Sequence, residues 1–334
     1  MRIALVSDAW SPQVNGVVRT LGMLVDNLGA AGHAVETVTP DRFRTIPCPT
    51  YPEIRLALKP RRRIAELIDA HRADAIHIAT EGPLGMAARA LCLARSLPFT
   101  TAFHTRFPEY IAARFAVPTA WTYAWMRRFH APSKSVMVAT ETLRRDLAAR
   151  GFSHLKHWGR GVDDTLFDPS RRDDNFMDLP RPIFLFVGRV AVEKNLPAFL
   201  DLDLPGSKLI VGNGPLLDTL RHRYPKVRFI GQREGEALAR VYASADVFVF
   251  PSLTDTFGLV LLEALASGLP VAAYPVAGPL DVIGNSGAGV LDCDLRKAAL
   301  AALTIPRAHA REFAQTHSWS ASAAQFLGNL APFR

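Results

Sequence analysis

The stretch Val247-Phe-Val-Phe-Pro-Ser-Leu-Thr-Asp255-Thr-Phe-Gly-Leu-Val-Leu-Leu-Glu263-Ala-Leu-Ala-Ser-Gly-Leu-Pro-Val271-Ala-Ala273 decides the fold. Val247–Phe250 is an apolar run of strand length, and Val271–Ala273 is another. Between them a polar loop leads into an apolar helical stretch with Gly258 as its start and Gly268, followed by Pro270, as its stop. Strand, helix and strand in this order form a βαβ unit. The alternation extends outward in both directions. Ile183–Val187, Lys208–Val211 and Val227–Ile230 precede it in the same half, and Ile3–Ser7, Ala34–Thr39, Ala75–Ile78, Phe99–Phe103 and Val136–Ala139 repeat it in the N-terminal half. Two doubly wound α/β domains are expected, 1–168 and 182–318, joined by a polar, proline-bearing linker at 169–181. Ligands of such sheets bind at the carboxyl ends of the strands, so the facing clefts of the two domains are the expected active site.

Glu263 is the chemical oddity of the stretch. Leu259, Val260, Leu261 and Leu262 precede it and Ala264, Leu265 and Ala266 follow, so its helix reads as buried nearly all round. A carboxylate there needs a partner, because unpaired burial costs several kcal/mol or ends in protonation. Helix side chains lean toward the N-terminus, which directs Glu263 toward the end carrying Asp255 and the amides of Phe257, Gly258 and Leu259. That end attracts anions. A phosphate on the amides, a diol on Glu263 and a hydroxyl on Asp255 together describe a nucleotide-sugar; the competing account is a core Arg or Lys paired with Glu263.

The chain has 334 residues, 49% of them hydrophobic, and can bury two cores. Its formal charge of +8 points to an anionic partner, a phosphorylated ligand or a membrane surface. Nucleic acid is the weaker option, since no zinc-finger or RNP1-like pattern accompanies the basic residues. No membrane span is visible, and the apolar run after Met1 is too short for a signal-peptide core, so a cytoplasmic protein is expected. Cys48, Cys92 and Cys293 show neither CxxC spacing nor a disulfide framework.

Chemistry concentrates where strands end. After Ile183–Val187 come Gly188-Arg189 and Glu193-Lys194-Asn195, a guanidinium and an ammonium suited to neutralising a departing diphosphate without a metal. Asn15-Gly16 follows the first strand, where glycine allows close backbone approach. His104, flanked by Thr105 and Arg106, is a candidate to bind a hydroxyl or move a proton. Gly212-Asn-Gly214-Pro215 lacks the spacing of a dinucleotide fingerprint. Asp201-Leu-Asp203 and Asp292-Cys-Asp294 resemble a metal-binding DxD only superficially, and no metal or cofactor is expected.

Taken together, these motifs resemble the retaining glycosyltransferases of family four, of GT-B fold. The resemblance covers Asn15-Gly16, Phe103-His104-Thr105, Gly188-Arg189, Glu193-Lys194-Asn195, Gly212 to Pro215, and Asp255 to Glu263 as the family's E-x7-E motif. It implies that Arg189 and Lys194 hold the donor diphosphate, that Glu263 binds the ribose, and that Asp255 with the amides of Phe257, Gly258 and Leu259 contacts the transferred sugar and phosphate. It further implies that Gly16 approaches the diphosphate from the opposite domain, that His104 faces the sugar, and that the backbone at Phe229 and Gly231 meets the base. Asp255 departs from the usual Glu by one methylene, which bears on donor-sugar identity. The family works without a metal, retains anomeric configuration, and has a final helix, here 319–334, crossing back to the first domain.

For the acceptor, Lys59 and Arg61-Arg62-Arg63 stand at a helix start, where cations oppose the helix dipole; an external anion such as a lipid phosphate would explain them. Trp121, Trp125 and Phe129 recur at i, i+4, i+8 beside Arg127 and Arg128, either as an interfacial face on an anionic membrane or as a stripe packed into the domain. The expected activity is transfer of a hexose from GDP-mannose or a UDP-hexose to a lipid or glycan hydroxyl at the inner face of the cytoplasmic membrane. The competing accounts are a GT-B nucleotide-sugar epimerase and a non-catalytic binding module.

Overall fold

The structure is a computed structural model that describes residues 1–13, 15–48, 51–112 and 117–333, so Val14 of the first loop and Arg334 of the final segment lie outside the described residues. The chain divides into two compact units, Met1–Arg160 completed by the segment from Trp319, and Gly161–Ser318.

In the first unit the strands are β1 (Arg2–Val6), β2 (Ala34–Val38), β3 (Thr45–Cys48), β4 (Tyr51–Ala57), β5 (Ala75–Ile78), β6 (Thr100–Phe103), β7 (Ser135–Val138) and β8 (Leu155–His157). Six form a sheet in the order β2-β1-β5-β6-β7-β8, and every pair in it is parallel. The hairpin of β3 and β4 stands apart and is antiparallel. It carries no apolar alternation to announce it: Ile46 is exposed and Pro47 interrupts the run. Sheet order reverses between β1 and β5, so the switch point of this unit lies beyond their carboxyl ends.

The middle of that sheet is more polar than a parallel sheet usually is. His77, Thr100, Thr101, His130 and Ser133 are all buried. They partner one another at the Nδ1 side of each ring: His77 Nδ1 lies 2.9 Å from Thr100 Oγ1, His130 Nδ1 2.9 Å from Thr101 Oγ1, and Thr101 donates to Ser133 Oγ at 3.2 Å. The C-terminal helix Trp319–Asn329 closes the core of this unit. Phe326 packs against the rings of Trp158 and His77 at 5.0 and 4.9 Å. The Trp158 indole N–H donates to Ser322 Oγ at 3.1 Å, which in turn donates to the Gly159 carbonyl at 2.8 Å.

The second unit has β9 (Ile183–Val187), β10 (Ser207–Val211), β11 (Arg228–Phe229), β12 (Val247–Phe250), β13 (Val271–Ala273) and β14 (Gly289–Leu291). They form an all-parallel sheet in the order β11-β10-β9-β12-β13-β14. Its switch point falls between β9 and β12. The stretch 169–181, expected as a linker, packs within this unit, and so does the chain from Gly161. Its arginines join a network that ties it to the rest of the unit. Arg181 donates to Asp246 at 2.7 Å, Arg172 to Asp246 at 3.1 Å, and Arg311 to the Asp164 and Phe167 carbonyls at 2.8 and 2.7 Å.

Candidate active site

The predicted cations of the second unit and Asp255 sit on segments that leave adjacent strands at its switch point. Arg189 and Lys194 follow β9, and Asp255 follows β12. Lys194 Nζ donates to Asp255 Oδ1 at 2.5 Å, with both side chains mostly buried. The two loops are tied elsewhere as well. Asn195, held at φ 50°, donates from Nδ2 to the Pro251 carbonyl at 3.1 Å, and Ser252 Oγ donates to the Glu193 carbonyl at 3.3 Å. The second carboxylate oxygen of Asp255 is buried and accepts no hydrogen bond among the described residues. The ammonium read as a diphosphate ligand and the carboxylate read as a sugar ligand are therefore in direct contact.

The helix after Asp255 runs from Leu259 to Ala266, with Gly258 at its N-cap. Gly258 has φ 85°, in the left-handed region that glycine enters without a Cβ penalty, and it brings no side chain to cap the first amides. Glu263 is 4% exposed in this helix. A partner comes from outside it: the Tyr242 hydroxyl, on the helix Gly235–Ser244, donates to Glu263 Oε2 at 3.0 Å. Tyr242 is itself packed against Phe167 and Phe248, which orients the phenol. Phe229 ends β11, and the Gly231 carbonyl accepts the Gly212 amide at 2.9 Å, so Gly212-Asn-Gly214-Pro215 ties neighbouring loops together. Asn213 does the same for the Arg189 loop, its carbonyl accepting the Val190 amide at 2.9 Å. The two DxD pairs serve local contacts: Asp201 accepts from Tyr224, and Asp292 pairs with Lys297.

Gly16 and His104 belong to the first unit. Gly16 is the first residue of the helix Gly16–Ala30, whose amides at Val17 and Val18 are capped by Asn15 Oδ1 at 3.0 Å each. His104 follows β6, its ring edge-on to Trp158 at 5.6 Å and its Nδ1 3.4 Å from Arg160 Nη2. Burial, and then the charge of Arg160, push the His104 pKa well below the usual imidazole range, so the ring is neutral at physiological pH. Arg106, grouped with His104 in the sequence, is instead paired with Asp146 at 2.8 Å.

Three residues passed over in the sequence occupy strand ends of this unit or the helix that supports the second. Asp8, just beyond β1, accepts from the Leu84 and Gly85 amides at 2.8 and 3.3 Å and from Thr80 Oγ1 at 2.9 Å. It thereby fills the N-terminus of the helix Pro83–Ala94, and Thr80-Glu-Gly-Pro-Leu-Gly85 is built around it. Its position directly after a strand was the available signal. Arg160 lies between Gly159 and Gly161, a setting that marks a backbone-defined site, and Tyr242 had no local signal at all.

The basic helix start is answered from within. Arg62 and Arg63 both reach Glu66, at 2.9 and 3.3 Å, the i+4 and i+3 neighbour that the expectation of an external anion overlooked. Lys59 and Arg61 are exposed beside them. The aromatic stripe splits. Tyr123, Met126 and Phe129 are buried, while Trp121 is 73% exposed and Trp125 45% exposed. Phe107, Pro108, Trp121, Thr122, Trp125 and Met126 line an apolar hollow of about 340 Å³.

Residues 14–166 match the family described as Glycosyltransferase Family 4, and residues 181–306 the family described as Glycosyl transferases group 1. The chain is 34% identical to the GDP-mannose-dependent alpha-mannosyltransferase of Mycolicibacterium smegmatis, over 90% of this chain and 87% of that protein. It is 31% identical to the protein of the same name from Mycobacterium tuberculosis, over 87% and 83% respectively. Among solved structures, sucrose-phosphate synthase from Thermosynechococcus elongatus matches its fold with a TM-score of 0.77 at 23% identity, covering 98% of this chain and 97% of that one. Two Rossmann-like units of this kind define a glycosyltransferase of the GT-B fold. The chain belongs to glycosyltransferase family 4.

Proposed function

We propose that this enzyme transfers a mannosyl residue from GDP-mannose to a hydroxyl of a lipid or glycan acceptor, with retention of anomeric configuration and without a metal ion. The observation that carries the reading is the Lys194–Asp255 contact beside Arg189 at the switch point of the second unit. Two cations there can take the charge of a departing diphosphate, and the unengaged Asp255 oxygen can accept from a sugar hydroxyl. Glu263, oriented by Tyr242, is assigned the ribose diol. The amides of Phe257, Gly258 and Leu259, at a helix start that no side chain caps, are assigned a phosphate oxygen. Phe229 and Gly231 are assigned the base, Gly16 the diphosphate, and His104 a sugar hydroxyl. Relatives named for GDP-mannose support this donor, and a UDP-hexose is the alternative that the experiment separates.

Exposed Trp121 and Trp125, with Lys59 and Arg61 on the same unit, support an acceptor presented at an anionic membrane on its cytoplasmic side. No helix among the described residues is long and apolar enough to cross a membrane.

The test is a donor panel. GDP-mannose should raise the melting temperature selectively over UDP-glucose and UDP-galactose, and transfer should persist in excess EDTA. Arg189→Ala and Glu263→Ala should each lower kcat/KM by roughly 10²-fold or more. Equal thermal shifts for all donors would sink the donor assignment. Unchanged rates in both variants would sink the site.

A further inference from the structure

The reading of His104 as a ligand contact leaves its proton unassigned, and the neighbouring arginine decides it. Arg160 Nη2 lies 3.4 Å from His104 Nδ1. A guanidinium has five N–H groups and no acceptor, so this contact requires a lone pair on Nδ1, and a neutral imidazole with its lone pair there carries hydrogen on Nε2. We propose that Arg160 is a positioning residue that holds His104 as the neutral Nε2–H tautomer, so that His104 gives a hydrogen bond to a ligand oxygen and does not take up the acceptor's proton. The second half of that statement rests on the proposed function; the first does not.

The surroundings of Arg160 suit this role. It is 7% exposed and has no carboxylate partner among the described residues. Its guanidinium is fixed instead by its own backbone, donating to the carbonyls of Trp158 and Gly159 at 2.6 and 3.0 Å, and it lies over the Trp158 ring at 4.2 Å. Trp158 is in turn clamped by Ser322 and Phe326 of the C-terminal helix. A buried arginine with a matching acid would present little net charge to its neighbours; this one presents a full positive charge to the imidazole. The other titratable groups around His104 do not reverse it. His77 and His130 act in the same direction as Arg160, and Glu81 lies 3.3 Å from the far nitrogen of His130. An Nε2–H donor has no free lone pair with which to act as a general base, so the acceptor proton must leave by another group.

The experiment uses the full chain labelled with ¹⁵N-histidine. Long-range ¹H–¹⁵N spectra, assigned with His104→Gln, should show an unprotonated Nδ1 and a protonated Nε2 for His104 that do not titrate between pH 8 and about 5.5. Arg160→Met should give a mixed tautomer and a ring that titrates nearer its ordinary range. It should also lower kcat at neutral pH by roughly 10²-fold with a smaller change in donor KM, and Arg160→Lys should restore the tautomer. An Nδ1–H form in the unaltered protein, a ring charged at pH 6, or an unchanged tautomer in folded Arg160→Met would overturn the assignment. Should Arg160→Met fail to fold, the spectrum of the unaltered protein and that of Arg160→Lys still decide it. If the tautomer is as stated but His104→Gln leaves kcat and KM intact, the donor role toward ligand is overturned while the tautomer assignment stands.

Discussion

Glu263 is a buried carboxylate whose neighbour in space is a tyrosine from another helix. Tyr242→Phe removes one hydroxyl from that carboxylate and changes little else in volume. It should cost about 1–2 kcal/mol of stability in urea unfolding and raise the donor KM more than it changes kcat; no change in either would mean that the hydroxyl does not orient Glu263. The burial of this acid was legible, because seven apolar neighbours surround it in sequence. Its partner was not, because a hydroxyl on a separate helix leaves no periodic trace. The same holds for Lys194 and Asp255: each was legible as a strand-end charge, but their contact depends on β9 and β12 being neighbours, which only the sheet order reveals. Arg62 and Arg63 failed for a different reason, since Glu66 lay within one turn and was not weighed against the dipole argument.

At the scale of elements, the long apolar strands were read to within a residue or two, and β9, β12 and β13 carry the expected bounds. β8 and β14, at three residues each, are too short to show a period, and they pair where β7 and β13 offer a free edge. The loop at Gly82 shows how such elements are joined. A Cβ there would stand 2.4 Å from Asp8 Cγ, so the absence of a side chain lets Asp8 reach the helix Pro83–Ala94. Gly82→Ala should destabilise the protein by about 1–3 kcal/mol. Because the damage acts through Asp8, Asp8→Ala should cost less in the Gly82→Ala background than alone; additive losses in that double-mutant cycle would show that the clash is relieved elsewhere.

For the whole molecule, buried His77 contributes to the response to acid. Burial pushes the His77 pKa down to about 3. The unfolded chain binds a proton there near pH 6.5 while the folded one does not, so stability from this group is complete above about pH 6.5 and is lost as pH falls toward 3, at up to about 1.4 kcal/mol per pH unit. Urea midpoints should fall between pH 7 and pH 5, and less steeply in His77→Gln; equal slopes would place the acid sensitivity in other groups. The two units also predict unequal behaviour when separated. A fragment of residues 161–318 is continuous and should fold alone, whereas 1–160 lacks the helix that covers Trp158 and His77. Circular dichroism and proteolysis of the two fragments test this, and a cooperatively folded 1–160 fragment would count against it.

That split has a consequence during synthesis. The ribosome must make all of Gly161–Ser318 before it reaches the helix that finishes the first unit, an interval of about 10–30 s at ordinary elongation rates. The later half of the chain is thus able to complete its fold first, while the groove awaiting Phe326 stays open to chaperones or to a premature partner until the last helix emerges.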